Sequence, residues 1–352
     1  MAHKQKKWSG ALGRSVRLQS AFLGLLIGLG CVALLLRQVD LKQSWSTLGR
    51  LGGPFLLAPI AVFFVNLPLR AWRWQLIFPS SCRPRIGQCL TVLGIANMAN
   101  FLLPGRAGDI SRCVLLGDGN SLADSSRTLA TLAVEKVLDG LALVGMVLFS
   151  VWALRPPHWV LDLLRAATLI FAGALGLLII LRYKTRLLIR YVRSAFHFMH
   201  LSFLQEKLDR VLTSFAEGLD SVSSAPQMLM LLALTSVIWT TEAGLIWGLA
   251  GALGLFVPLK SAVVATAVLG LGLMIPAAPG GLGTYELFGT EAFQLAGIAA
   301  SRALALTVVI HAWVYLANIA FGILLLAIKG LSLAQLKDRL EIGTGSTVQH
   351  LS

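Results

Sequence analysis

Charge is scarce in this sequence. Asp, Glu, Lys and Arg make up 13% of its 352 residues against 56% hydrophobic residues, and the mean hydropathy is +0.77. A soluble globular domain carries roughly twice that share of charge, so an ordinary water-soluble fold is excluded and the bilayer becomes the solvent. Acidic residues are the scarcer sign, 16 against 30 basic ones, for a net charge of +14. The Lys and Arg fall in short blocks between apolar runs rather than on one continuous basic surface, which argues against a nucleic-acid partner. Cysteine is also sparse. Cys31, Cys82, Cys89 and Cys113 show no CxxC or Cys/His ligand spacing, so free thiols are expected rather than a metal site or a disulfide framework. No HExxH, no DDxxD-like cluster and no activated Ser or Cys constellation is visible, and no glycine loop ends in Lys-Ser/Thr. Neither a cofactor, a metal nor a soluble catalytic domain is expected.

What is present is a series of apolar runs, near 19–36, 54–72, 86–103, 127–153, 159–181, 228–250, 260–278 and 302–328. Each approaches the roughly 20 residues that a helix needs to cross a bilayer. The N-terminal basic stretch precedes an apolar run without a small-x-small cleavage site, so the first run is read as an uncleaved span. Counting all eight as spans conflicts with the positive-inside rule. The basic N-terminus, the Arg70 to Arg85 segment and the 182–225 loop, with Arg182, Lys184, Arg186, Arg190, Arg193, Lys207 and Arg210, should all be cytoplasmic. The conflict disappears if 86–103 and 260–278 re-enter without crossing. The expected fold is therefore an all-α polytopic membrane protein of about six full spans plus two re-entrant hairpins, with both termini in the cytoplasm.

An internal repeat points the same way. Pro104-Gly105-Arg106-Ala107-Gly108 aligns with Pro279-Gly280-Gly281-Leu282-Gly283, and the same ungapped offset aligns Ser126-Arg127 with Ser301-Arg302, Leu129-Ala130 with Leu304-Ala305, and Trp72 with Trp247. With the charge-derived orientation the halves, about 54–153 and 228–328, form an inverted repeat, a recurrent transporter design in which broken helices meet near the midplane. Broken backbone at that depth is tolerated where it lines a polar cavity.

Four groups of residues carry chemistry. The first is Asn97 and Asn100 followed by the break at Pro104, Gly105 and Gly108, with Arg106, Asp109 and Arg112 beside it. Arginine forks and freed backbone N–H groups suit phosphate oxygens, so Arg106, Arg112 and Asn100 are candidate substrate contacts, with a lipid phosphate as ligand. The bland alternative is a turn in which Arg106 pairs with Asp109 and Arg112 snorkels to headgroups. The second group is Glu135, Lys136 and Asp139, embedded in an apolar run at helical spacing, with Lys136 three residues from Asp139. Such charges mark a pathway or a packing pair. The third is the counterpart break at Pro276, Pro279, Gly280, Gly281 and Gly283, followed by Glu286 and Glu291. The fourth comprises Glu242, a candidate proton-coupling site, and His311 and Asn318, read as helix-to-helix hydrogen bonds. Arg70, Trp72, Arg73 and Trp74 end the second run, where headgroup anchoring is the safer reading and Arg73 is a further candidate for the substrate.

Taken together, Arg70-Ala-Trp72-Arg73-Trp74, Asn100 with the Pro104 to Arg112 motif, Glu135-Lys136-x-x-Asp139 and the Pro276 to Glu286 motif resemble the flippase-like transmembrane region of lysylphosphatidylglycerol synthases, over roughly residues 20–330. The resemblance implies a single flippase-like domain over 19–330, a basic cytoplasmic segment 1–18 and a cytoplasmic tail 331–352, in the cytoplasmic membrane. It also implies translocation of a lipid, with the Arg106 and Glu135 clusters involved. The aminoacyltransferase domain of the full-length synthases would follow the membrane region, and this chain ends soon after its last apolar run, so lipid aminoacylation is not expected.

The leading expectation is a flippase or scramblase for an anionic phospholipid or a polyprenyl-phosphate-linked substrate, with Asp109, Glu135, Asp139, Glu242 and Glu286 available for ion coupling. The alternatives are an intramembrane transferase acting on a lipid phosphate, with Glu135 or Asp139 as base, and a scaffold subunit bound to a lipid-biosynthesis enzyme.

Overall fold

A computed structural model describes residues 26–27, 29–37, 39–49, 57–103, 107–116, 122–154, 157–198, 205–219, 224–274 and 278–330. The expected N-terminal segment 1–18 and tail 331–352 lie outside these residues, as do Pro104, Gly105, Arg106 and Pro276. All regular structure among the described residues is helical. Residues 29–36 form α1, and the remaining helices are α2 (Leu41–Leu48), α3 (Leu57–Ile77), α4 (Ile86–Leu102), α5 (Ala107–Leu116), α6 (Leu122–Leu154), α7 (His158–Phe198), α8 (Gln205–Leu219), α9 (Ala225–Ala252), α10 (Leu259–Gly272), α11 (Thr284–Gln294) and α12 (Ala300–Ile328).

Among the described residues, three stretches are long and apolar enough to cross a membrane by length and composition: His158–Thr185 of α7, and α9 and α12 in full. Their outward faces are apolar, as lipid contact requires; on α7, Leu169 is 75% and Ile170 65% exposed. α4 and α10 are apolar too, but at 17 and 14 residues they are shorter. At 1.5 Å per residue both fall below the roughly 30 Å hydrocarbon thickness.

Sequence chemistry accounts for where the short helices stop. Leu103, which precedes Pro104, is extended at φ −111°, ψ 144°, as the residue before a proline is driven to be. At the second break Gly280, Gly281 and Gly283 all have positive φ (66°, 80° and 86°), a run that side chains with a Cβ disfavour. Glu286 then accepts a hydrogen bond from Gly283 N at 2.7 Å and starts α11.

The order α3, α4, α5, α6 recurs as α9, α10, α11, α12. The two sets are interlocked: α3 packs on α9, while α4 lies against α12 and α10 against α6. Glycines allow the close crossings. A Cβ at Gly94 would strike Leu325 and Phe321 of α12, and one at Gly270 would strike Leu143 of α6. The 182–225 segment, expected as a basic loop, is mostly helical instead. α7 continues past a non-helical Lys184 to Phe198, and α8 packs on α6 and α7. Its polar and apolar residues recur at helical spacing, which charge counting along the sequence does not register.

Candidate functional site

The centre of the molecule is built from charged side chains that four apolar helices bring together. Arg73 of α3 is fully buried and grips Asp139 of α6 with both terminal nitrogens, at 2.6 and 3.2 Å. It also lies 3.8 Å from Glu135 and donates to Thr235 of α9 at 3.1 Å. Arg112 of α5, 3% exposed, donates to both oxygens of Glu135 at 3.1 Å and lies 3.6 Å from Asp109. Lys136 completes this side with a 3.0 Å pair to Asp109, whose backbone N–H and carboxylate are both bonded by Asn100. Trp239 of α9 ties the cluster to the second set of helices: its indole N–H donates to Asp139 at 3.0 Å and its ring lies under the Arg70 guanidinium. Arg70 in turn bonds Asn66 at 2.6 Å and pairs with Glu242 at 3.4 Å. Leaving any of these charges unpaired in an apolar bundle would be costly, so the network is held together by its own desolvation.

These groups surround a cavity of about 320 Å³. Arg70, Lys136 and Glu242 look into it from one side, and Asn97, Asn318 and Trp313 from the others. Its floor is the second break, where Ala278 to Gly281 and Tyr285 contribute backbone and ring surface. The break is braced from α12: His311 Nδ1 meets Glu286 at 2.5 Å, Nε2 meets the Gly280 carbonyl at 2.9 Å, and Tyr285 stacks on the imidazole. Tyr315 donates to the Phe101 carbonyl at 2.7 Å, bridging α12 to the end of α4. The indole N–H of Trp313 has no hydrogen-bond partner among the described residues. Among the described residues no three His, Cys, Asp or Glu side chains gather as a metal site would need.

Several sequence expectations meet this geometry directly, and others are corrected by it. Glu135 and Asp139 do face the interior, but Lys136 turns to Asp109 rather than to Asp139, because Arg73 already occupies Asp139. Arg112 does not snorkel: it is buried and carries Glu135. The anchoring reading is overturned for Arg73 and Trp74, both 0% exposed, while Trp72 is exposed. Arg73 is absent from the cavity lining, whereas Arg70 lines it. Glu242 is not isolated, since Arg70 pairs with it. His311 and Asn318 make inter-helix hydrogen bonds as expected, to Glu286 and Asn97. Glu286 serves the helix break rather than lining the cavity. The four cysteines are free. Trp239, Asn66 and Thr235 were not anticipated; polar residues spaced along an otherwise apolar run were the available signal for Asn66.

A family model described as the lysylphosphatidylglycerol synthase TM region matches residues 21–322. The chain is also 26% identical, over 335 residues, to a protein of Haloferax volcanii named Glycosyltransferase AglD. That alignment covers 85% of this chain and 53% of the relative, so the chain spans about half the length of the curated protein it matches. No solved structure matches the chain.

Proposed function

The chain belongs to the family of the lysylphosphatidylglycerol synthase TM region, and from that premise we propose that it translocates a phosphate-bearing lipid between the leaflets of the cytoplasmic membrane. The observation that carries this reading is the polar cavity itself. A space of about 320 Å³ lined by Arg70, Lys136, Glu242 and several asparagines, inside a bundle with an apolar exterior, suits a headgroup whose tails stay in lipid. Among the described residues, Arg70 and Lys136 reach it with part of their surface free, at 22% and 37% side-chain exposure. Phosphate oxygens would be held by these groups, with the better-buried Arg112 and Arg73 holding the wall in shape.

The sequence repeat, read as inverted, supports the same mechanism. Asn66 donates to Thr241, the residue 175 positions further on, which is the repeat offset found in the sequence, so the two halves touch through equivalent positions. Lys136 on α6 and His311 on α12 are equivalent at that offset, and each holds an acid on the short helix after its own break, Asp109 and Glu286 respectively. Two short apolar helices that re-enter from opposite faces, each latched in this way, would let the cavity open alternately to either side. Both termini then lie in the cytoplasm, and membrane lipids are the partners, together with the enzyme that supplies the lipid.

The name of the Haloferax volcanii relative favours a second reading, an intramembrane glycosyltransferase. Its candidate bases, Glu135 and Asp139, are each engaged by arginine, which leaves neither free to accept a proton from a substrate. The test is reconstitution of the purified protein in liposomes with fluorescent phosphatidylglycerol or a fluorescent polyprenyl-phosphate lipid, followed by dithionite quenching. Protein-dependent quenching of inner-leaflet lipid, abolished in a folded Arg70→Ala, Lys136→Ala double variant, is the expected result. Absence of quenching with either lipid would shift the assignment to the transferase or to a scaffold role.

A further inference from the structure

Among the described residues the charged network around the cavity is balanced. Arg70, Arg112 and Lys136 at the lining, with Arg73 behind it, stand against Asp109, Glu135, Asp139 and Glu242, and each of these cations has a carboxylate partner. An anionic headgroup entering this space adds a negative charge to this balanced set in a poorly solvated interior. The cheapest remedy is to neutralise a carboxylate.

The carboxylates are unequal in what holds them. Asp139 accepts from two Arg73 nitrogens and from Trp239. Glu135 accepts from Arg112 on both oxygens and lies near Arg73. Asp109 is held by Lys136, Arg112 and Asn100. Glu242 has only the 3.4 Å pair with Arg70 among the described residues, and its side chain is 26% exposed. Arg70 can leave it and keep Asn66 and the Trp239 ring. From the surrounding elements Glu242 meets Arg70 on α3, Tyr285 on α11 and, across Trp239, Asp139 on α6. The cavity-lining residues of α4, α10 and α12 carry no titratable group.

Resting on the transport reading above, we infer that Glu242 takes up one proton for each anionic headgroup that the cavity binds, so that lipid movement is linked to proton movement. On entry the phosphate replaces the Glu242 carboxylate at Arg70, and the freed carboxylate accepts a proton from water to become a neutral carboxylic acid. On release the proton leaves and the Arg70–Glu242 pair re-forms. No redox partner or leaving group is required. The sign follows: headgroup binding is strongest at acid pH and weakens as pH rises.

The test is calorimetric titration of the detergent-solubilised protein with dihexanoyl phosphatidylglycerol and with farnesyl phosphate, in buffers of different ionisation enthalpy. Wild type should absorb about one proton per lipid bound, and its affinity should fall about tenfold per pH unit on the alkaline side. Glu242→Gln, which mimics the neutral acid, should bind without proton uptake and with little pH dependence, while Asp162→Asn, an exposed carboxylate on α7, should behave as wild type. Binding to wild type without proton uptake, or unchanged uptake in Glu242→Gln, overturns the coupling and leaves the transport reading standing. No binding of either lipid at any pH would overturn both.

Discussion

Arg73 is a buried charge held entirely by its partners on neighbouring helices. Its guanidinium has no exposed surface and is neutralised by Asp139 with help from Glu135. Truncating one member of a buried pair strands the other charge, which typically costs about 3–5 kcal/mol. Asp139→Ala should therefore lower the stability of the detergent-solubilised protein by about that amount in denaturant titration, whereas Arg73→Met combined with Asp139→Leu should recover most of the loss. If the double variant were no more stable than the single one, the pair would be contributing something other than mutual neutralisation. Lys136 differs in kind: its partner Asp109 keeps Arg112 and Asn100, so Lys136→Met should be tolerated structurally while affecting lipid binding.

At the scale of the element, the short helices owe their positions to glycine. Gly108 in the first turn of α5 lies so close to α4 that an added Cβ would meet the Ala96 carbonyl oxygen and the Asn100 side chain, the latter being the one that holds Asp109. Backbone on the far side cannot yield as a flexible side chain can. Gly108→Ala should cost about 1–3 kcal/mol in thermal or chemical unfolding. Gly244→Ala and Gly251→Ala, where a Cβ meets nothing within 4 Å, should be neutral or mildly stabilising, since both lie inside α9. The contrast between glycines of one bundle is the informative measurement. An equal response at all three would remove the close α4–α5 approach as the reason for Gly108.

At the scale of the whole molecule, the proposed inverted repeat makes a topological prediction. The 3₁₀ turn Ser80–Cys82 follows α3 and the exposed segment around Phe256 follows α9, so the two are counterparts in the repeat. Opposite orientation of the halves puts them on opposite faces of the membrane. The native thiol of Cys82, which is exposed, should react with a membrane-impermeant maleimide only after permeabilisation of cells. In a Cys82→Ser background, Phe256→Cys, at a position 90% exposed, should react from outside. Labelling of both from the same side would rule out the inverted arrangement and with it the alternating opening of the cavity.

Much of this protein is legible in its sequence. The scarcity of charge required a membrane solvent, the apolar runs located the helices of the bundle, and Pro and Gly located both breaks, because each of these effects acts within a few residues along the chain. The repeat offset agrees with the recurring order of helices, while the Asn66–Thr241 contact at the same offset was not foreseen. The pairing of charges was not legible. Glu135, Lys136 and Asp139 invited a local cluster at helical spacing, yet each found its partner on another helix: Glu135 on α5, Lys136 on α5 and Asp139 on α3. Likewise Arg73 and Trp74 read as an interfacial anchor until α6 and α9 packed over them. Helix spacing determines which side chains share a face, but a long side chain bonds to whatever charge the neighbouring helix presents. Only the packing of α3, α5, α6 and α9 decided which carboxylates are held fast and, among the described residues, left Glu242 with a single cation.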